Sequence, residues 1–250
     1  MLQAVLWDVD GTLAETERDG HLVAFNRAFA ELGIPWRWSE ERYAELLSVA
    51  GGHERLLHDM PSQQQAPAGC KERRELAQSV HRLKNAHYAR IIARGDLALR
   101  PGVTELLADC SNQGFPMAIV TTTSRVNVEA LLQVHLGKGW ATLFEAIVCA
   151  EQAPRKKPDP QAYAIALEQL AVRARDTVAL EDAPAGIAAA QAAGVPVIAT
   201  RSHYFMTSDV TGVLAAGPSL GRVRDWHPCP DPHATRIGLE QIIRWHSHQC

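Results

Sequence analysis

From residue 99 onward, short apolar runs alternate with amphipathic stretches, and this alternation most narrows what the chain can fold into. "PMAIVT", "EAIVCA", "DTVALED" and "VPVIAT" are continuous apolar runs rather than in–out alternations, the pattern of strands covered on both faces. Between and around them lie "RVNVEALLQVHL", "DPQAYAIALEQLAV" and "PAGIAAAQAAG", which read as helices. Such an order predicts an α/β fold, a doubly wound parallel, Rossmann-like sheet with helices on both sides. A lone apolar strand over residues 3–8 belongs with these runs, so the polar, helical stretch that follows it is an insertion. The expected organisation is an α/β catalytic core of residues 1–16 and 96–250, with a helical cap domain of residues 17–95.

Within the insertion, "GHLVAFNRAFAELG" carries Leu22, Val23, Phe25, Phe29 and Leu32 at helical spacing and stops at Gly33. "SEERYAELL" opens with a capping serine followed by acids, a helix start. The Pro- and Gln-rich "MPSQQQAPAG" is expected to be a mobile loop, and a long helix is expected over roughly residues 71–94. Residues 205–233 read as irregular, and "ATRIGLEQIIRWHSH" as a closing helix.

A formal net charge of −3 argues against a general nucleic-acid binder. The five cysteines (Cys70, Cys110, Cys149, Cys229 and Cys250) are scattered and never form a CxxC pair, as expected of free thiols in a reducing compartment. No apolar stretch approaches the length needed to span a bilayer, and the first residues lack a secretory pattern. These features predict a cytoplasmic protein with no membrane partner; a monomer is the expected state, though none of these features bears on it. His227, Cys229 and His233 match no zinc spacing, so "WHPCPDPH" reads as a surface loop.

In open parallel sheets ligands gather at the carboxyl ends of the strands. Here those ends carry Asp8 and Asp10 in "DVDGT", Thr121 and Thr122 in "AIVTTTS", Lys157 in "KKPDP", and Glu181 and Asp182 in "ALEDAPAG". Two carboxylates two residues apart, at the end of an apolar strand, repel one another unless a cation sits between them or water solvates the turn. Gly11 lets the backbone turn sharply away from the strand, and Thr12 is placed to tie that turn together. Singly, each stretch has an ordinary explanation: a solvated turn, plain strand residues, a basic loop, acids at a helix start. All of them would have to coincide, in order, along one sheet.

Taken together, the four stretches resemble the motifs of the haloacid dehalogenase superfamily, in its Mg²⁺-dependent phosphatase and phosphomutase branch. The resemblance implies that Asp8 is a nucleophile that becomes an aspartyl-phosphate, and that Asp10 is the general acid and base. It also implies that the Thr121 hydroxyl and the Thr122 backbone N–H hold phosphoryl oxygens, and that Lys157 bridges Asp8 and the phosphate. Arg155 and Lys156 are adjacent alternatives to Lys157. The implied cofactor is Mg²⁺, held by Asp8, the Asp10 carbonyl and Asp182, with Glu181 as outer support.

Inside the insertion, "AETERDGHLVAFNRAF", "RYAELLSVAGGHERL" and "VHRLKNAHYARI" look like the CbbY-type phosphatases, which hydrolyse xylulose 1,5-bisphosphate, an inhibitory by-product of Rubisco. That likeness implies substrate contacts from Glu17, His21, Tyr43, Gly52, Arg55 and Lys84, with Arg55 and Lys84 facing a second phosphate of a small phosphorylated sugar. His53 stands where the group's "GGKER" pattern has lysine, Ala183 where serine is common, and Trp7 where phenylalanine is usual. The expected activity is hydrolysis of xylulose 1,5-bisphosphate to xylulose 5-phosphate. A β-phosphoglucomutase-like phosphomutase and a phosphoglycolate phosphatase are the alternatives.

Overall fold

A computed structural model describes residues 1–49, 51–231 and 233–248; Cys250, counted above among the free thiols, lies outside them. The chain divides into two compact units, Met1–Glu15 with the chain from Ala98 onward, and Thr16–Leu97. These bounds differ by one or two residues from those read in the sequence, because Thr16 already opens a helical turn, Thr16–Leu22, of the second unit.

The first unit holds six parallel strands: β1 (Ala4–Trp7), β2 (Met117–Val120), β3 (Ala146–Val148), β4 (Thr177–Glu181), β5 (Val197–Thr200) and β6 (Ala215–Gly217). Their order across the sheet is β3-β2-β1-β4-β5-β6. Every residue of β1, β2, β4 and β5 is buried, which explains why their sequences are apolar but for Thr177, Glu181 and Thr200 at strand ends. The sequence did not indicate β6: Ala-Ala-Gly offers neither β-branched nor aromatic side chains, and its burial comes entirely from tertiary packing. Winding runs outward from β1 in one direction and from β4 in the other, so the reversal falls between these two neighbours. A ligand crevice belongs at the carboxyl ends of such a pair, where Asp8 follows β1, Glu181 ends β4 and Asp182 follows it.

The second unit contains α1 (Val23–Glu31), α2 (Glu40–Leu46), α3 (Gly52–Asp59) and α4 (Cys70–Ala93). Ser39 caps α2 as its sequence predicted, its Oγ accepting the Arg42 N–H at 3.1 Å. Phe25, Phe29, Trp36, Trp38 and Tyr43 form an aromatic core, with Trp38 edge-on to Phe29 at 5.2 Å. The "MPSQQQAPAG" stretch, expected to be mobile, is instead tied to that core. Met60 is buried, Gln63 donates to Asp59 at 2.6 Å, and the Trp36 indole donates to the Gln64 carbonyl at 2.6 Å. Asp59 also accepts from the Trp38 indole at 2.6 Å and from Arg42 Nη2 at 2.5 Å. Burial alone would raise its carboxyl, but the hydrogen bonds from Arg42, Trp38 and Gln63 outweigh that and hold it below the usual carboxylate range.

No helix among the described residues is long and apolar enough to cross a membrane.

Candidate active site

Asp8 leaves β1 buried, its backbone N–H donating to the Leu180 carbonyl at 3.1 Å, which fixes it against β4. The next residues reverse within a tight loop held by the backbone. The Thr12 and Leu13 N–H groups donate to Val9 O at 3.2 and 2.9 Å, and the Gly11 N–H donates to Ala14 O at 2.8 Å. Thr12, expected to tie this turn, does so through its backbone N–H, while its Oγ1 is buried without a hydrogen-bond partner among the described residues. Gly11 has φ of +86° and lies so close to the Asp182 carboxylate that a Cβ would collide with it. Glycine is therefore required here both for its dihedral angle and for the close approach.

Lys157 brings three strand ends together. Its buried Nζ donates to Asp8 Oδ1 at 2.7 Å, to Glu181 Oε1 at 2.6 Å, and to the carbonyl of Val120, the last residue of β2, at 2.9 Å. Burial opposes the lysine charge, but Asp8 and Glu181 outweigh it and hold its pKa above the ordinary value. Arg155 and Lys156 do not share this position; Arg155 pairs with Asp159 at 3.2 Å. Glu181 Oε1 accepts a second short bond, from the Tyr163 hydroxyl at 2.5 Å. Tyr163 was not singled out from the sequence, since on its helix (Gln161–Leu170) it looks like any core aromatic.

Asp8, Glu181 and Asp182 each offer an oxygen within 4.8 Å of the others, all buried. Burial, and then the charge of Glu181, raise the Asp8 carboxyl to about 7 despite Lys157. Burial, Asp8 and Glu181 likewise hold Asp182 well above its ordinary value, opposed by a hydrogen bond from Ser202 and the charge of Arg100. Three carboxylates against one lysine leave excess negative charge in a buried place. An all-oxygen donor set of this kind suits a hard divalent cation. Asp10, half-buried two residues beyond Asp8, adds its own charge to the field that Asp8 feels.

Thr121 is buried at the end of β2, its N–H donating to Val148 O at 3.0 Å and its Oγ1 accepting the Thr123 N–H at 3.2 Å. Thr122 follows, half-buried. The core residues predicted from the sequence thus lie at neighbouring strand ends of one unit.

The residues predicted in the insertion form a second group, within the helical unit. Arg55 is nearly buried, and its guanidinium grips Glu17, with three N–H···O contacts of 3.2 Å. It also donates to the Tyr43 hydroxyl at 3.0 Å and to Val49 O at 2.9 Å, while the Tyr43 hydroxyl donates to Glu17 at 2.5 Å. Lys84 is buried too, its Nζ 5.3 Å from the ring centre of Phe25 and 5.2 Å from that of Tyr88. The His21 ring lies against Tyr88 at 4.1 Å, and Gly52 opens α3 against Phe25 and His81. Buried cations of this kind are not what surface helices carry for solubility.

Comparison with known proteins agrees with this geometry. The model of the haloacid dehalogenase-like hydrolases matches residues 2–194. The plasmid CbbY protein of Cupriavidus necator is 43% identical over 249 residues, covering 98% of this chain and 97% of the relative. The crystal structure of CbbY from Rhodobacter sphaeroides in complex with phosphate is 39% identical, with a TM-score of 0.78 over 85% of this chain and 92% of that one. A mutant of the same protein in complex with xylulose-(1,5)bisphosphate is 38% identical, with a TM-score of 0.80 over 88% and 95%. With its four strand-end motifs on one parallel sheet and these relatives along nearly its whole length, the chain belongs to the haloacid dehalogenase-like hydrolase family, in its CbbY branch.

Proposed function

We propose that the chain is a Mg²⁺-dependent phosphatase that hydrolyses xylulose 1,5-bisphosphate to xylulose 5-phosphate through an aspartyl-phosphate on Asp8. The observation that carries this reading is the placement of Asp8 at a strand end, 2.7 Å from Lys157 and within 4.8 Å of the oxygens of Glu181 and Asp182. A carboxylate held beside a fixed ammonium group is a nucleophile able to approach a phosphoryl anion. The substrate assignment is supported by the CbbY relative that binds xylulose bisphosphate.

An Asp8 carboxylate oxygen attacks phosphorus, and the bond between phosphorus and the sugar oxygen breaks. Asp10 gives its proton to the departing alkoxide and then takes one from water, which attacks the acyl phosphate. The Asp8–phosphorus link breaks, inorganic phosphate leaves, and Asp8 is regenerated. Lys157 balances negative charge throughout, and the Thr121 hydroxyl and Thr122 N–H hold the phosphoryl oxygens. Asp8, Asp182 and the Asp10 carbonyl would hold Mg²⁺. Glu181 would support from outside, because one of its oxygens is already engaged by Lys157 and Tyr163. When bound, the ion neutralises phosphoryl charge.

In the helical unit, Arg55 and Lys84 are the groups suited to a second phosphate, and Glu17 and Tyr43, which already hold Arg55, would with His21 face the sugar hydroxyls. Gly52 lets Phe25 and His81 pack close to its backbone, where a Cβ would press on the Phe25 ring. Arg55 is already oriented by Glu17 and Tyr43, so little freedom is lost on binding an anion. The test is phosphate release, with Mg²⁺ and with EDTA, from xylulose 1,5-bisphosphate, ribulose 1,5-bisphosphate, β-glucose 1-phosphate and phosphoglycolate. Preference for the xylulose compound, lost in EDTA and in Asp8→Asn, is the expected result. Turnover by a folded Asp8→Asn protein would refute the nucleophile, and formation of glucose 6-phosphate would replace the phosphatase by a mutase.

A further inference from the structure

Arg100 stands immediately before Pro101, and its own N–H donates to Leu13 O at 2.8 Å. Only 6% exposed, it pairs with a carboxylate through its Nε, which lies 3.3 Å from Glu15 Oε1. Its other donors are spread over backbone carbonyls from three separate segments. Nη1 donates to Gly11 O and, at 2.8 Å, to Thr200 O. Nη2 donates to Arg201 O at 2.6 Å and to Pro218 O at 2.5 Å. The guanidinium therefore ties together the loop after β1, the end of β5 and the turn after β6. Glu15 adds a second tie between the first two, accepting the His203 N–H at 3.2 and 3.3 Å.

Both segments that Arg100 and Glu15 join touch Asp182. Gly11 abuts the Asp182 carboxylate, and Ser202, itself buried, donates its Oγ to Asp182 Oδ2 at 2.5 Å. Asp182 thus sits between two walls, one from each loop. A buried guanidinium is costly to desolvate, and an apolar filler would serve stability as well. Its fork of donors does something an apolar side chain cannot, which is to fix the spacing of carbonyls in three loops at once.

We propose that Arg100 and Ser202 are positioning residues for the cation site. Arg100 locks the loop after β1 to the loop after β5, and Ser202 sets the rotamer of Asp182, so that Asp182 and Asp8 present oxygens at one fixed separation. The inference rests on reading Asp8 and Asp182 as ligands of the ion. Ser202 follows β5 by two residues and carries no motif, and Arg100 is remote in sequence from what it holds, 89 residues from Gly11, 100 from Thr200 and 118 from Pro218.

The test is calorimetric titration of Mg²⁺ into the wild-type protein and the Ser202→Ala, Ser202→Thr and Arg100→Lys variants. In parallel, hydrolysis of p-nitrophenyl phosphate is followed against Mg²⁺ concentration. Ser202→Ala is expected to weaken Mg²⁺ binding about 10–100-fold, the usual effect of removing an outer-shell partner, with Ser202→Thr restoring most of it. The concentration of Mg²⁺ giving half-maximal rate should rise by more than kcat at saturating Mg²⁺ falls. Arg100→Lys keeps the charge but cannot fork to four carbonyls, so it should lose Mg²⁺ affinity while still giving the wild-type circular dichroism spectrum. Ser202→Ala or folded Arg100→Lys proteins that bind Mg²⁺ within about twofold of a Mg²⁺-binding wild type would overturn the proposal alone. A wild type that takes up no Mg²⁺ would overturn it together with the reading of the site.

Discussion

Replacing Lys157 by methionine removes one positive charge from the most crowded part of the molecule while keeping a chain of similar length. The ammonium group lies 2.7 Å from Asp8 Oδ1 and 2.6 Å from Glu181 Oε1. At an effective dielectric constant near 20, a contact of that length corresponds to roughly 6 kcal/mol of attraction, from which several kcal/mol of desolvation must be subtracted. Breaking a buried pair by removing one partner costs about 3–5 kcal/mol, because the other charge stays behind without compensation. Proton uptake limits the loss. With Lys157 present, the folded Asp8 carboxyl is already raised from 3.8 to about 7, and loss of the lysine raises it further. A raised carboxyl contributes stability that is fully present below its unfolded pKa and is lost as pH rises through the folded value. In EDTA the destabilisation of Lys157→Met should therefore be largest above about pH 8 and shrink toward about pH 5, where Asp8 is neutral with or without the lysine. Added Mg²⁺ should offset part of the loss.

Hydrogen exchange at the β1 and β4 amides is the appropriate assay, since it reports the opening free energy of the core unit without assuming that both units unfold together. A loss below about 1 kcal/mol above pH 8, or one that stays constant down to pH 5, would refute the argument that Lys157 neutralises the carboxylates at this site.

Three further outcomes follow from the geometry. Gly11→Ala forces a side chain into positive φ and against Asp182, so Mg²⁺ affinity should fall at least about tenfold by calorimetry; near-wild-type binding would show that the close approach is dispensable. Asp59→Asn replaces by a donor one of two oxygens that accept from Trp38 and Gln63 on one side and Arg42 on the other, which should cost the helical unit about 2–4 kcal/mol by hydrogen exchange on α1 and α4. Because its carboxyl is held below the ordinary 3.8, that contribution is present above the ordinary value and is lost as pH falls through the lower folded one; a difference between wild type and variant that persists in strong acid would contradict it. Arg55→Ala should slow hydrolysis of xylulose 1,5-bisphosphate about 10–100-fold more than that of p-nitrophenyl phosphate, and equal losses on the two would remove the second-phosphate role.

How far the sequence exposes such a site depends on whether a residue's role is local. Asp8 and Asp10 are legible because the strand, the acids and Gly11 are consecutive, and their chemistry is concentrated in five residues. The strands up to β5 are legible because burial on both faces demands apolar runs, whereas Ala215–Gly217 becomes a strand through pairing with β5 and a bridge to His227. Arg55 is visible only as a cation on a helix. That it is buried and gripped by Glu17, 38 residues earlier, is a fact of tertiary packing. Tyr163, Ser202 and Arg100 go further in the same direction, since each reaches the site through a partner that the topology, not the local pattern, brings near. A motif records the groups that meet the reacting atoms. The groups that hold those in place can come from any strand end that closes on the same crevice, so the doubly wound sheet itself decides where they are found. The consequence can be measured: substitutions at Ser202 should act on the ion's affinity before the chemical step, and those at Asp8 on the chemical step itself.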